Sequence, residues 1–264
     1  MQKVQKAQKV QKVQKVNKMR KNILLIMQYE GTRYHGWQKQ TSPDYTIQGK
    51  LEALLEKLFG ESVQVYGSGR TDAGVHAMGQ AVNFHTESRM PLPEMLSAIN
   101  HYLPDDIAAV EIREMPERFH SRLHAKGKCY CYQVLTGTVP DVFRRRYALE
   151  IEEKLDVEAM RKAASWLVGE HDFKSFTSAK KGKKSTIRRL DEIRIEESGK
   201  ILRFWFRGDG FLYHMVRILM GTLLEVGRGE RDPDSIPELI NARNREIAGY
   251  LVPAKGLTLI EVYF

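Results

Sequence analysis

Residues 67–77 read GSGRTDAGVHA. One carboxylate, Asp72, and one guanidinium, Arg70, stand in a stretch that also holds Gly67, Gly69 and Gly74. An ionised carboxylate mounted in such yielding backbone can serve as a nucleophile or as a fixed negative charge facing a developing cation. The glycines permit unusual dihedrals and close approach by a ligand. Other chemistries lack their residues. The phosphate-cradling Gly-Lys-Ser/Thr pattern finds no lysine here, and the dinucleotide fingerprint needs a glycine where Asp72 stands and a strand-to-helix passage. No second loop of this kind supplies the partner carboxylate of an acid–acid dyad. His76 is the only other good metal ligand nearby, and Cys129-x-Cys131 has no matching pair, so no metal site is expected. By residue type alone, a loop aspartate is more commonly a turn or capping residue than a catalyst.

A reactive loop needs rigid flanks. VQVYG (63–67) and GQAVNFHT (79–86) read as strands on either side of it. NILLIMQYE (22–30) reads as a buried strand. TIQGKLEALLEKLFG (46–60) predicts a helix, with Ile47, Leu51, Leu54, Leu55 and Leu58 at helical spacing and Thr46 as N-cap. A helix near 93–102 and a strand at 107–113 complete a first set. The second set starts with a strand at 129–135. A helix follows from an Asp156 cap to Val168, with Val157, Met160, Ala164, Leu167 and Val168 facing inward. STIRRLDEIRIEE and ILRFWFRG read as strands around a Ser-Gly turn at 198–199. Met215–Val226 is strongly helical, and a helix near 235–243 and the strand LTLIEVYF finish the chain. Two comparable sets predict an α+β fold of two subdomains sharing one sheet, at 23–125 and 126–264, behind a tail at 1–22.

The hydrophobic share of 42% in 264 residues supports a proper core. Two cysteines form no disulfide framework and point to a reducing compartment. The apolar run FLYHMVRILMGTLLEV is broken by His214 and Arg217 and is short of membrane length. With no apolar secretory segment at the N-terminus, a cytoplasmic location is expected. Of the net charge of +9, residues 1–22 carry +8, with seven lysines, one arginine and no acid. Their QKV repeat drifts by about 60° per three-residue step around a helix, so its valines never form one stripe and disorder is expected. The rest is nearly neutral but patchy: Arg144–Arg146, the lysines of 180–184, Arg188 and Arg189 are clustered, and acids gather at 150–158. Such clusters fit either a shaped polyanion site or ordinary solvated surface.

The run GSGRTDAGVHAMGQ closely resembles the signature of the tRNA pseudouridine synthase A family. Other blocks fall in the right order. YEGTRYHGWQKQ (29–40) is similar to the family's opening motif, with Glu30 where aspartate is more usual. FHSRLHAKGKCYCYQV (119–134) is similar to its tyrosine-bearing segment, departing at Leu123, His124 and the cysteines. GDGFLYHMVRILMGTLLEVGRG (208–229) resembles its later arginine block, with Asp209 in place of a neutral residue, and GLTLIEVYF its ending. The resemblance spans about 23–264 and leaves the tail outside.

That resemblance implies isomerisation of uridine to pseudouridine at positions 38, 39 and 40 in the anticodon stem and loop of tRNA, without a cofactor. The N-glycosidic bond breaks, the uracil turns, and its C5 bonds to the ribose C1′. Asp72 would be the catalytic nucleophile; attack at C1′, attack at C6 and assistance in removing the 2′ proton all stay open. Tyr130 would pack against the flipped uracil, the alternative being a core aromatic like Tyr132. Arg217 would pair with Asp72 and favour its charged form. The alternative, an exposed helix arginine, is disfavoured by Val216, Ile218, Leu219 and Met220 around it. Arg70 would fill the space left by the flipped base, or else brace the loop through an ion pair. His120 and Arg122 would lie along the RNA backbone, with the 180–184 lysines near a second such region; His76 is expected only to pack the loop. The family fold is α+β with an antiparallel-rich central sheet and a basic cleft between two related halves, working as a homodimer on one tRNA. Competing readings are an RNA-binding protein without chemistry, a related synthase acting on other RNA, and a phosphate-handling enzyme using the glycine loop.

Overall fold

The structure, a computed structural model, describes residues 20–40, 45–179 and 185–264; the 180–184 lysines and nearly all of the QKV tail lie outside them. Strand β1 (Lys21–Tyr29) buries Ile23, Leu24, Leu25 and Met27. Helix α1 (Ile47–Phe59) starts where the Thr46 hydroxyl accepts from Gly49 N at 3.2 Å, and ends at Gly60, whose φ of 65° suits a residue without Cβ. It turns Ile47, Leu51 and Leu55 into the core. Strands β2 (Val65–Gly67) and β3 (His76–Thr86) flank the glycine-rich loop. Helix α2 (Leu92–Tyr102), buried through Met95 and Ile99, leads to β4 (Ile107–Met115).

The later residues form β5 (Gly127–Thr136), β6 (Leu149–Ile151), α3 (Val157–Leu167), β7 (Gly169–Asp172), β8 (Ile187–Ser198), β9 (Ile201–Gly208), α4 (Met215–Gly227), α5 (Ile236–Ala242) and β10 (Leu257–Tyr263). The Asp156 carboxylate caps α3 by accepting from Ala159 N at 2.9 Å. Val168, expected to face inward, is 38% exposed. It lies just past the helix with extended backbone, so the helical period no longer sets its direction. Helix α4 buries Met215, Val216, Ile218, Leu219, Met220, Leu223 and Leu224, which accounts for its run of apolar residues on every face.

The fold is α+β around one ten-stranded sheet, ordered β4-β1-β3-β10-β5-β9-β8-β7, with β2 on β3 and β6 on β5. Pairings are antiparallel except β3–β10 and β5–β6. The last strand thus inserts beside β3 and joins the strands of the first set to those of the second. Leu259 pairs with Ala77 on one side and Tyr130 on the other. The start of β3 and the middle of β5 are therefore two strand spacings apart, about 10 Å. Strand β3 begins at His76 rather than Gly79, because this long-range pairing with β10 extends it. No helix among the described residues is long and apolar enough to cross a membrane.

Candidate active site

The loop between β2 and β3 is clasped by the segment that follows β1. Trp37 N donates to Thr71 O at 3.0 Å, and Gly74 N donates to Tyr34 O at 3.3 Å. The Tyr29 and Thr71 hydroxyls lie 2.9 Å apart. Two glycines make the close approach possible. A Cβ on Gly31 would stand 2.0 Å from Val75 O, and one on Gly36, at φ 90°, 2.6 Å from Thr71 O. Below the loop, Ser68 Oγ donates to Gln80 Oε1 at 2.7 Å, and Gln80 Nε2 donates to Gly69 O at 2.9 Å. His76 packs the loop, as expected. Its Nδ1 accepts from Gly31 N at 3.0 Å, which leaves the proton on Nε2, facing the carbonyls of Arg146 (2.8 Å) and Lys255 (3.1 Å). Burial holds this imidazole below its ordinary value.

Held in this way, Asp72 meets the first turn of α4. Its Oδ2 lies 3.2 Å from Arg217 Nη1 and 3.6 Å from His214 Nε2. Arg217 Nε also donates to Val252 O at 2.8 Å, so the guanidinium is fixed at two points. Its side chain is 12% exposed, which excludes the solvated helix arginine. His214 was not singled out from the sequence. It sits at φ 64°, a left-handed conformation uncommon for a residue with a Cβ, and stacks on Tyr213 at 3.7 Å. Its Nδ1 is buried with no hydrogen-bond partner among the described residues. Burial is the main influence holding it below its ordinary value; Arg217 and Arg245 add to this, and Asp72 opposes.

Tyr130 on β5 is buried, with its ring edge-on to Phe211 at 5.0 Å. Tyr132, two residues on, donates its hydroxyl to Pro253 O at 2.7 Å. Tyr130 has no such partner among the described residues, and it lines the same cleft as Asp72. Burial first, then Tyr29 and Asp72, raise its phenol above the ordinary value, so it stays protonated.

Asp72, Tyr130, Arg217, Arg70 and Arg122 together line a cleft of about 1580 Å³. Arg70 is exposed and donates through Nε to Gln38 Oε1 at 3.0 Å. The brace is a neutral amide; no ion pair to Arg70 exists among the described residues. His120 lines an adjoining recess of about 540 Å³ that shares Arg70 and Arg122 with the cleft. Between His120 and Arg122, Ser121 is pinned: its N donates to Asn83 Oδ1 at 2.8 Å and its hydroxyl donates to Tyr66 O. Lys128 and Arg188, also unremarked as site residues in the sequence, line the cleft as well. Among the described residues, no group of three His, Cys, Asp or Glu side chains could hold a metal ion. The site offers a carboxylate fixed by one guanidinium, open to a cleft with aromatic and cationic walls. It suits a flat polar ring on a polyanionic chain.

The chain matches the family model described as tRNA pseudouridine synthase over residues 25–122 and 163–264. It is 44% identical over 244 residues to "tRNA pseudouridine synthase A" of Acetivibrio thermocellus, covering 92% of this chain and 100% of that protein. It is 45% identical over 245 residues to "tRNA pseudouridine synthase A" of Brevibacillus brevis, with the same coverage of each. A solved chain from "Crystal structure of the archaeal box H/ACA sRNP Nop10-Cbf5 complex" superposes with a TM-score of 0.34 at 14% identity, over 77% of this chain and 43% of that one.

Proposed function

The chain belongs to the tRNA pseudouridine synthase family, and from that premise we propose that it isomerises uridine at positions 38, 39 and 40 of the anticodon stem and loop of tRNA, with Asp72 as nucleophile and no cofactor. The observation that carries this reading is the Asp72 carboxylate, open to the cleft with Arg217 at 3.2 Å.

The target base leaves its stack and enters beside Tyr130, while Arg70 takes the vacated space. Asp72 acts at the sugar or base while Arg217 keeps its charge in place. The N1–C1′ bond breaks with its electrons on N1, the uracil turns, and C5 bonds to C1′. The C5 proton leaves to solvent and N1 gains one, so the product is an isomer. Confinement in the cleft keeps the detached base from escaping. Residues 23–125 supply Asp72 and Arg70, and residues 126–264 supply Tyr130 and Arg217, so neither subdomain is competent alone. His120 and Arg122 bind RNA backbone. The active form is a homodimer, and sedimentation should give about twice the chain mass of 30.4 kDa.

The test is an anticodon-arm transcript carrying C5-tritiated uridine. Wild type should release tritium and Asp72→Asn should not, with comparable RNA affinity in both. Release by Asp72→Asn removes the assigned nucleophile. Binding without release by wild type favours an RNA-binding protein without chemistry.

A further inference from the structure

Five cations line the cleft without a carboxylate partner among the described residues: Arg70, Arg122, Lys128, Lys174 and Arg188. Lys128 differs from the arginines. It lies on β5 two residues before Tyr130, half-buried, and donates through Nζ to Ser68 O at 3.0 Å. An ammonium has three donors, and this is its one contact, so two remain for the cleft. The absence of a side chain at Gly69 leaves it room, since a Cβ there would stand 2.7 Å from Nζ. Arg188 Nη1 donates to the carbonyls of Ser185 (3.1 Å) and Ile187 (2.6 Å), which holds its head in place. The strand neighbours of Lys128, Gly208 and Val262, carry no charge. A half-buried ammonium among like charges and without an anion is an incomplete arrangement.

Resting on the tRNA reading above, we infer that Lys128, flanked by Arg122 and Arg188, seats one RNA backbone phosphate beside the nucleotide whose base reaches Tyr130. A consequence separates this seat from an ordinary basic surface. Burial, then repulsion by Arg122 and Arg188, brings Lys128 down to about 8. A phosphate there restores its proton affinity, so RNA binding takes up a proton near and above that pH. Affinity then falls as pH rises.

The experiment measures binding of an anticodon stem-loop RNA at fixed ionic strength from pH 7 to pH 9.5, in the Asp72→Asn background so that no chemistry intervenes. With Lys128 present, affinity should weaken roughly tenfold across that range. Lys128→Arg keeps its charge throughout and should bind with a flat profile. Lys128→Met should bind roughly tenfold more weakly at pH 7, also with a flat profile, and its slope of log affinity against log salt should be shallower by about one phosphate contact. The inference is overturned if Lys128→Arg retains the pH dependence, or if Lys128→Met keeps the affinity and salt slope of the parent. Inorganic phosphate should displace RNA no better than chloride at equal ionic strength. Selective displacement that Lys128→Met abolishes would mark a free-phosphate seat and overturn the assignment to RNA. Failure of the parent protein to bind the stem-loop at all would overturn the tRNA reading together with this one.

Discussion

Arg217 holds Asp72 with one nitrogen and Val252 O with another, across 3.2 Å and 2.8 Å. A lysine offers one point charge where this geometry needs a fork. Arg217→Lys is therefore expected to lose roughly 100-fold in the rate of tritium release while RNA affinity stays near wild type. Arg217→Met strands a mostly buried carboxylate and should lower the free energy of unfolding by about 2 kcal/mol. Adding Asp72→Asn to that variant removes the stranded charge, so a double-mutant cycle in denaturant should recover much of the loss with no return of activity. Asp72 and Arg217 were legible from sequence, the first through its motif and the second through a resembling block with apolar neighbours. His214 was not. Its approach to Asp72 depends on a left-handed backbone at φ 64° that no local pattern announces. Tyr130 and Tyr132 look alike in the alternation of β5, and tertiary contacts set them apart: Tyr132 gives its hydroxyl to the Pro253 carbonyl, whereas Tyr130 lines the cleft.

At the scale of elements, the segment after β1 positions the loop mainly through backbone contacts. Gly36→Ala would press a Cβ against Thr71 O in a conformation that costs about 1–2 kcal/mol for an L-residue. It is expected to slow tritium release at least roughly tenfold and leave RNA affinity within about twofold, because the displacement falls on Asp72, the proposed nucleophile. The same clasp carries a pH dependence through His76. Its folded value is depressed, so the unfolded chain binds the proton more readily. Stability from this group is present above the unfolded value of about 6.5 and is lost as pH falls through the folded value. Thermal unfolding of wild type should drop on acidification below about pH 6.5, and the drop should be smaller in His76→Asn. The block at 29–40 was legible as a family resemblance. Its physical task was not, because main-chain hydrogen bonds and absent side chains leave little trace in residue type. The ends of elements were hard to place for a related reason: β3 gains its first residues from β10, and Val168 leaves the helical period after α3.

Across the whole molecule, the helices and eight of the ten strands were legible from periodicity and caps, whereas the short β6 and β7 and the order of the sheet were not. Insertion of β10 between β3 and β5 is a pairing of residues far apart in sequence, and it brings the loop beside Tyr130. The cleft cations had the same obscurity, since Arg70, the Arg122–Lys128 stretch and Arg188 are far apart in sequence and meet only in three dimensions. Net charge pointed elsewhere. Residues 1–22 carry +8 of the total of +9, yet the charges around Asp72 belong to the remainder. Attraction to RNA in general and discrimination at the cleft should therefore separate. Deleting residues 1–19 removes six lysines and lowers the formal charge from +9 to +3. The shortened chain should release tritium from a saturating anticodon-arm substrate at the wild-type rate. Its affinity for an unrelated single-stranded RNA should fall, with a shallower dependence on salt, because each lost phosphate contact removes about 0.7 from the slope. A fall in the saturated rate, with the salt slope intact, would instead place the lysines of the tail in the catalytic complex.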